Sequence, residues 1–172
     1  PTTLLAMVDS SIGGKTGINT SEGKNLIGSI YQPRGVLVDP TILNFLSREE
    51  VHAGLGEVIK YGAIRDSKFF NDISEWLDNI ESFPFEKAIY RACEIKAEIV
   101  SLDEREGGLR RLLNFGHTIG HALEANLGYG KIRHGEAIAL GMKCSGWISE
   151  QLNFMSKSEN RFLVRTIDKL TL

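Results

Sequence analysis

The spacing of apolar positions changes once along this chain. Before about Asn44, apolar residues come in short runs broken by Gly, Ser and Thr; from Ser47 onward they recur at helical intervals. A 3.6-residue repeat places such positions on one face, so the second stretch predicts helices. Ser47-Arg-Glu-Glu50 matches a capping box, and Val51, Leu55, Val58 and Ile59 form the apolar stripe behind it. Further helices are expected at Ser67 to Asn79, Phe85 to Leu102, Gly116 to Leu127, His134 to Leu152 and Ser158 to Leu170. The earlier stretch, from Thr2 to about Asn44, predicts strands and loops, with strands at Leu4 to Val8 and at Gly35-Val-Leu-Val-Asp39. Asp39-Pro40 ends the second strand, because the residue before proline avoids the helical region. A boundary near residues 45 to 50 follows, and the first part, too small for a core of its own, must pack on the second part or on further sequence.

Composition narrows the class. The 172 residues are 42% hydrophobic and 24% charged, enough for a folded core and unlike a disordered chain. A net charge of -2 gives no basic excess that would point to nucleic acid or membrane. No apolar run reaches membrane-spanning length and no signal peptide opens the chain, so a cytoplasmic protein is expected. Cys93 and Cys144 lie in helical patterns without Cys-x-x-Cys spacing and are read as reduced and buried. The chain begins at Pro1 without a Met and stops after a helical pattern, and so reads as part of something longer.

Three of the four histidines fall in His117-Thr-Ile-Gly-His121 and His134-Gly-Glu136. His117 and His121 share a helix face, and a third imidazole from another element suits a catalytic zinc site; satisfied core or capping histidines are the alternative. Thr118 stands where a zincin carries its general-base Glu, which argues against a metalloprotease. Glu57 and Lys60, inside an otherwise apolar stretch, are either a surface pair, a buried pair or part of a site, and Glu57 could complete a Glu, His, His ligand set. Asp9-Ser-Ser-Ile-Gly-Gly-Lys15-Thr16 resembles a P-loop but carries Asp9 where glycine is needed. That loop and Gly23-Lys24-Asn25 can still offer cations and amides to an anion. Lys96 falls on what reads as a solvated Glu/Lys face, and the polar link Asp103 to Asn114, carrying Arg110, is placed to line a cleft.

Taken together, these segments resemble the 3-dehydroquinate synthase family of sugar phosphate cyclases. The resemblance rests on Val8-Asp-Ser-Ser-Ile-Gly-Gly-Lys-Thr-Gly-Ile-Asn19, Gly23-Lys-Asn-Leu-Ile-Gly28, Gly56-Glu-Val-Ile-Lys60, Glu94-Ile-Lys-Ala-Glu98, Asp103-Glu-Arg-Glu-Gly-Gly-Leu-Arg110, Asn114-Phe-Gly-His-Thr-Ile-Gly-His121 and His134-Gly-Glu136. It runs from residue 1 to about 150, in order and at matching spacing. It implies a mainly α fold: residues 1–46 as the end of an α/β nucleotide-binding domain, a short β/loop segment, and residues 47–172 as a helical metal- and substrate-binding domain. It also implies an NAD-dependent, Zn2+- or Co2+-containing lyase of the shikimate pathway, converting 3-deoxy-D-arabino-heptulosonate 7-phosphate into 3-dehydroquinate and phosphate.

By matched position, the resemblance implies Glu57, His117 and His134 as metal ligands and Lys60, Lys96, Arg110, Asn114 and His121 as catalytic groups around the substrate. Lys15, Lys24 and Asn25 would hold phosphate, with Asp9, Lys15 and Lys24 on the cofactor side. Phe45 departs from the pattern, because the family has a small hydroxyl residue there. The family's Gly-rich nucleotide turn and last helices would lie outside this sequence, so the chain alone is expected to be inactive; a homodimer is expected for the whole protein. The rival expectations are another sugar phosphate cyclase, a glycerol dehydrogenase-like enzyme, or a non-catalytic helical remnant.

Overall fold

The computed structural model describes residues 1–21, 23–128 and 131–170. It is mainly helical, with helices α1 (Arg48–Arg65), α2 (Ser67–Trp76), α3 (Phe85–Leu102), α4 (His117–Leu127), α5 (His134–Gln151) and α6 (Lys157–Asp168). All six expected helices are present, within a few residues of their expected ends. The starts follow local chemistry. Ser47 Oγ accepts from the Glu50 amide at 3.3 Å, while the Glu50 carboxylate accepts from Arg133 Nε at 3.2 Å. Asp66 ends α1 and caps α2, its Oδ1 accepting from the Phe69 amide at 2.9 Å.

Helix α1 runs through the middle of the bundle, packed by α2, α3, α5 and α6. Its residues 53–62 are all buried, and Leu55, Val58, Ile59 and Tyr61 are fully enclosed. A helix enclosed on every side needs no single apolar stripe, and any charge on it must find its partner inside the protein.

The first part differs from expectation. Leu4 to Val8 is not a strand: the chain enters a short π-helical turn, Ala6–Ser10, with the Met7 amide bonded to the Thr3 carbonyl at 2.9 Å. Leu4, Met7 and Val8 are buried in the same core as the helices, where a helical turn satisfies backbone groups that have no strand beside them. Residues 35–39 form no strand either; Leu37 is fully exposed and no described strand pairs with them. The strands are instead β1 (Lys15–Thr20) and β2 (Gly23–Ile30), an antiparallel pair with Lys15 opposite Ile30 and Ile18 opposite Ile27. This hairpin falls in the stretch read as loops, because its glycines and polar residues hide the alternation that marks a strand. Cys93 is half-buried, and Cys144 is exposed rather than buried, on the face of α5 that also exposes Leu140, Trp147 and Ile148.

Two glycines let the helices that carry the histidines approach backbone to backbone. A Cβ on Gly135 would lie 1.7 Å from the Ala53 carbonyl oxygen of α1, and one on Gly141 2.0 Å from the Gly116 oxygen that precedes α4. Gly135→Ala is therefore expected to cost about 1–3 kcal/mol, seen as a lower denaturant midpoint. Gly35→Ala, where an added Cβ meets nothing within 4 Å, is the control and should leave the midpoint unchanged. Equal midpoints for the two variants would contradict the close-packing account.

Candidate functional site

The first turn of α5 meets the start of α4 and the centre of α1, so three imidazoles and one carboxylate converge. Ligand-capable atoms of His117, His121 and His134 all lie within 4.8 Å of one another. Glu57, on the inner face of α1, is wholly buried and ion-paired through Oε2 with buried Lys60. Its Oε1 has no hydrogen-bond donor and lies 3.6 Å from His117 Nε2 and 3.7 Å from His134 Nε2.

The protonation states sharpen this geometry. Burial holds His117 neutral, with its pKa lowered to about 4, the nearby Glu57 charge only partly offsetting the desolvation. Its Nδ1 is 3.3 Å from the Phe115 carbonyl, which can only accept, so the proton sits on Nδ1 and the Nε2 lone pair faces Glu57. A lone pair opposite a buried carboxylate oxygen, with no proton between them, is the arrangement a cation resolves. The donor set of one carboxylate oxygen and two or three imidazoles fits Zn2+ or Co2+.

Above this floor lies a cleft of about 1540 Å³, bounded by the hairpin on one side and α3, the 109–114 turn and α4 on the other. Asp9, Lys15, Asn25, Lys60, Lys96, Arg110, Asn114, His117, His121 and His134 all line it. Of the residues expected in the site, Glu57 lies beneath the cleft, and the side chain of Lys24 is outside the described residues. Phe45 is exposed on a 3-10 turn outside the cleft lining.

Lys96 is buried rather than on a solvated face, its Nζ 2.6 Å from Asp9 Oδ1 and 2.5 Å from the Asp9 carbonyl. Burial pulls its ammonium below the usual lysine range, with Asp9 opposing the shift. Burial alone would raise the Asp9 carboxyl, but the charges of Lys60 and Lys96 and hydrogen bonds from Lys96 and Tyr61 hold it well below the ordinary range. The Tyr61 hydroxyl donates to Asp9 Oδ1 at 2.8 Å.

Arg110 is spent partly on structure, donating to the Gly13 carbonyl at 2.7 Å and the Glu104 carbonyl at 2.5 Å and so tying the hairpin base to the helical body. Two acidic residues of the site went unmarked in the sequence. Glu106 accepts from Lys15 and, at 2.6 Å, from Asn114. Burial alone would raise its carboxyl, and these partners bring it below the usual range. Glu124, on the inward face of α4, has Oε2 3.4 Å from His134 Nδ1. Its position seven residues after His117 was the available signal; Glu106 had none, since its Lys15 partner is 91 residues away.

Comparison with known proteins identifies the family. The 3-dehydroquinate synthase C-terminal family profile matches residues 54–172, and the N-terminal profile matches residues 1–53. A 3-dehydroquinate synthase of Microcystis aeruginosa is 48% identical over all of this chain and 48% of its own length, and that of Synechocystis sp. is 52% identical over 92% of this chain and 45% of its own. This chain thus spans about half the length of the curated relatives it matches.

Among solved structures, 2-deoxy-scyllo-inosose synthase complexed with carbaglucose-6-phosphate, NAD+ and Co2+ superposes with a TM-score of 0.87 at 32% identity, over 98% of this chain and 48% of that one. The 2-epi-5-epi-valiolone synthase of Streptomyces hygroscopicus subsp. jinggangensis, with NAD+ and Zn2+ bound, gives 0.85 at 28% identity, over 100% of this chain and 49% of that one. From the family profile that covers its helical part and the relatives that match along its length, this chain belongs to the 3-dehydroquinate synthase family.

Proposed function

We propose that this chain carries the metal- and substrate-binding part of an enzyme converting 3-deoxy-D-arabino-heptulosonate 7-phosphate into 3-dehydroquinate and phosphate. The observation that carries the reading is the donorless Glu57 Oε1, buried between the Nε2 atoms of His117 and His134 under a lysine-lined cleft. Residues 47–172 form the helical metal- and substrate-binding unit, and residues 1–46 end an NAD-binding α/β unit. The relatives named for dehydroquinate synthesis are about 50% identical, against about 30% for the valiolone and inosose synthases, and this favours the dehydroquinate product.

Glu57, His117 and His134 would hold Zn2+ or Co2+, and Asp9 would border the nicotinamide of NAD. When bound, the two cofactors supply Lewis acidity and reversible hydride acceptance. The chain's own residues do the rest. Lys15, Lys60 and Lys96 attract and orient a phosphorylated sugar acid, and Asn25 extends that cradle along the hairpin. Glu106, held ionised, keeps Lys15 and Asn114 aimed into the cleft. Lys96, with its lowered pKa and its anchor on Asp9, exchanges a proton nearer neutrality than an ordinary lysine does. His121 lies beside the metal ligands at the cleft surface, within reach of a substrate oxygen. The fixed cations stabilise anionic charge that develops as the phosphate leaves.

The test is turnover by the full-length protein with NAD and Zn2+ or Co2+: equal amounts of phosphate and 3-dehydroquinate are expected, and activity should disappear on chelation. Formation of a different carbocycle from another sugar phosphate would reject the reading. Lys15→Ala should lower kcat/KM by about 10²-fold or more with helicity and cobalt binding unchanged; retained turnover would remove Lys15 from the site.

A second expectation concerns the metal-free protein. The folded-state pKa of His117 is depressed to about 4, so the stability tied to its neutral form is full above the unfolded value near 6.5 and is lost as pH falls through 4. Unfolding free energies from denaturant titrations with chelator should fall between pH 7 and pH 4 by about 3 kcal/mol more in the parent than in His117→Asn. Parallel pH profiles for the two proteins would contradict the burial of a neutral imidazole.

A further inference from the structure

His117 has a backbone carbonyl to hold the proton on its Nδ1, but His134, at the first position of α5, meets the Glu124 carboxylate instead. Glu124 is 4% exposed and sits on α4, two helical turns beyond His117, so it is a buried acid held on the rigid element that also carries two of the imidazoles. Its Oε2 lies 3.4 Å from His134 Nδ1, while the other ring nitrogen of His134 lies 3.7 Å from Glu57 Oε1. The ring of His134 therefore stands between two buried carboxylates, one on each side.

We infer that Glu124 is a positioning residue: by accepting the Nδ1 proton of His134, it fixes the ring's tautomer and orientation so that the Nε2 lone pair faces Glu57. This rests on the metal reading given above and extends it to the outer shell, where a carboxylate behind an imidazole typically sets both ring direction and ligand basicity. The geometry gives a reason to bury an acid at this position. A side chain of similar size without an oxygen would pack the same space but leave the ring free to turn and to carry its proton on either nitrogen.

The test has two readouts on the full chain. In the metal-free protein, imidazole 15N NMR should find His134 protonated on Nδ1. Glu124→Gln, which keeps an acceptor oxygen, should preserve that state, and Glu124→Met, which keeps length without an acceptor oxygen, should yield a mixture of tautomers. In cobalt titrations followed by ligand-field absorption, Glu124→Met should bind about 10- to 100-fold more weakly than the parent, with an altered band shape and unchanged helicity, and Glu124→Gln should stay close to the parent. Finding His134 protonated on Nε2 in the parent overturns the proposal without any variant. Cobalt affinity and spectrum equal to the parent in folded Glu124→Met overturn it as well. A folded parent that binds no cobalt would sink the metal reading separately, with the NMR result still reporting on Glu124.

Discussion

A carboxylate buried at the centre of a protein must be met by positive charge, and the arrangement around Glu57 follows from that requirement. Lys60, one turn along the same helix, answers one oxygen. The other oxygen faces only the unprotonated nitrogen of His117 and the near nitrogen of His134. An apolar residue of the same size at position 57 would pack more easily, so the buried charge does not serve packing stability. The same reasoning extends outward through the Lys60, Lys96, Asp9 and Tyr61 cluster, where each ion is set against its opposite or against a hydroxyl.

The fold serves this constraint by bringing three helices closer than side chains normally permit. Gly135 and Gly141 allow α5 to touch the backbone of α1 and of the turn before α4, and that contact sets His134 beside Glu57 and His117. The hairpin is a second module, fastened to the helical body by Arg110 and by the pairing of Lys15 with Glu106 rather than by apolar packing; Ile18, Leu26 and Ile27 remain exposed. Such polar fastening places Lys15 over the cleft while the helices hold the floor.

Much of this was legible because it is local. The capping serine at 47, the stripe Val51, Leu55, Val58 and Ile59, and the four-residue spacing of His117 and His121 each fix structure within a few turns, and the helices appeared where they were expected. What was misread depends on distant partners. Leu4 to Val8 reads as a strand by composition, yet the chain around it offers helices to pack on and, among the described residues, no strand to pair with. Lys96 reads as solvated until the turn at Asp9, 87 residues away, closes over it. Glu124 was recoverable from its place on the histidine face of α4. Glu106 was not, since a polar loop residue carries no mark of the lysine it will meet.

The central claim is that Glu57, His117 and His134 form a prepared metal site, and anomalous diffraction from a crystal of the full chain grown with cobalt tests it most directly. The account predicts one strong peak at coordination distance from Glu57 Oε1, His117 Nε2 and His134 Nε2. A peak elsewhere, or no peak with Glu57 Oε1 met by a protonated imidazole or a lysine, would contradict it.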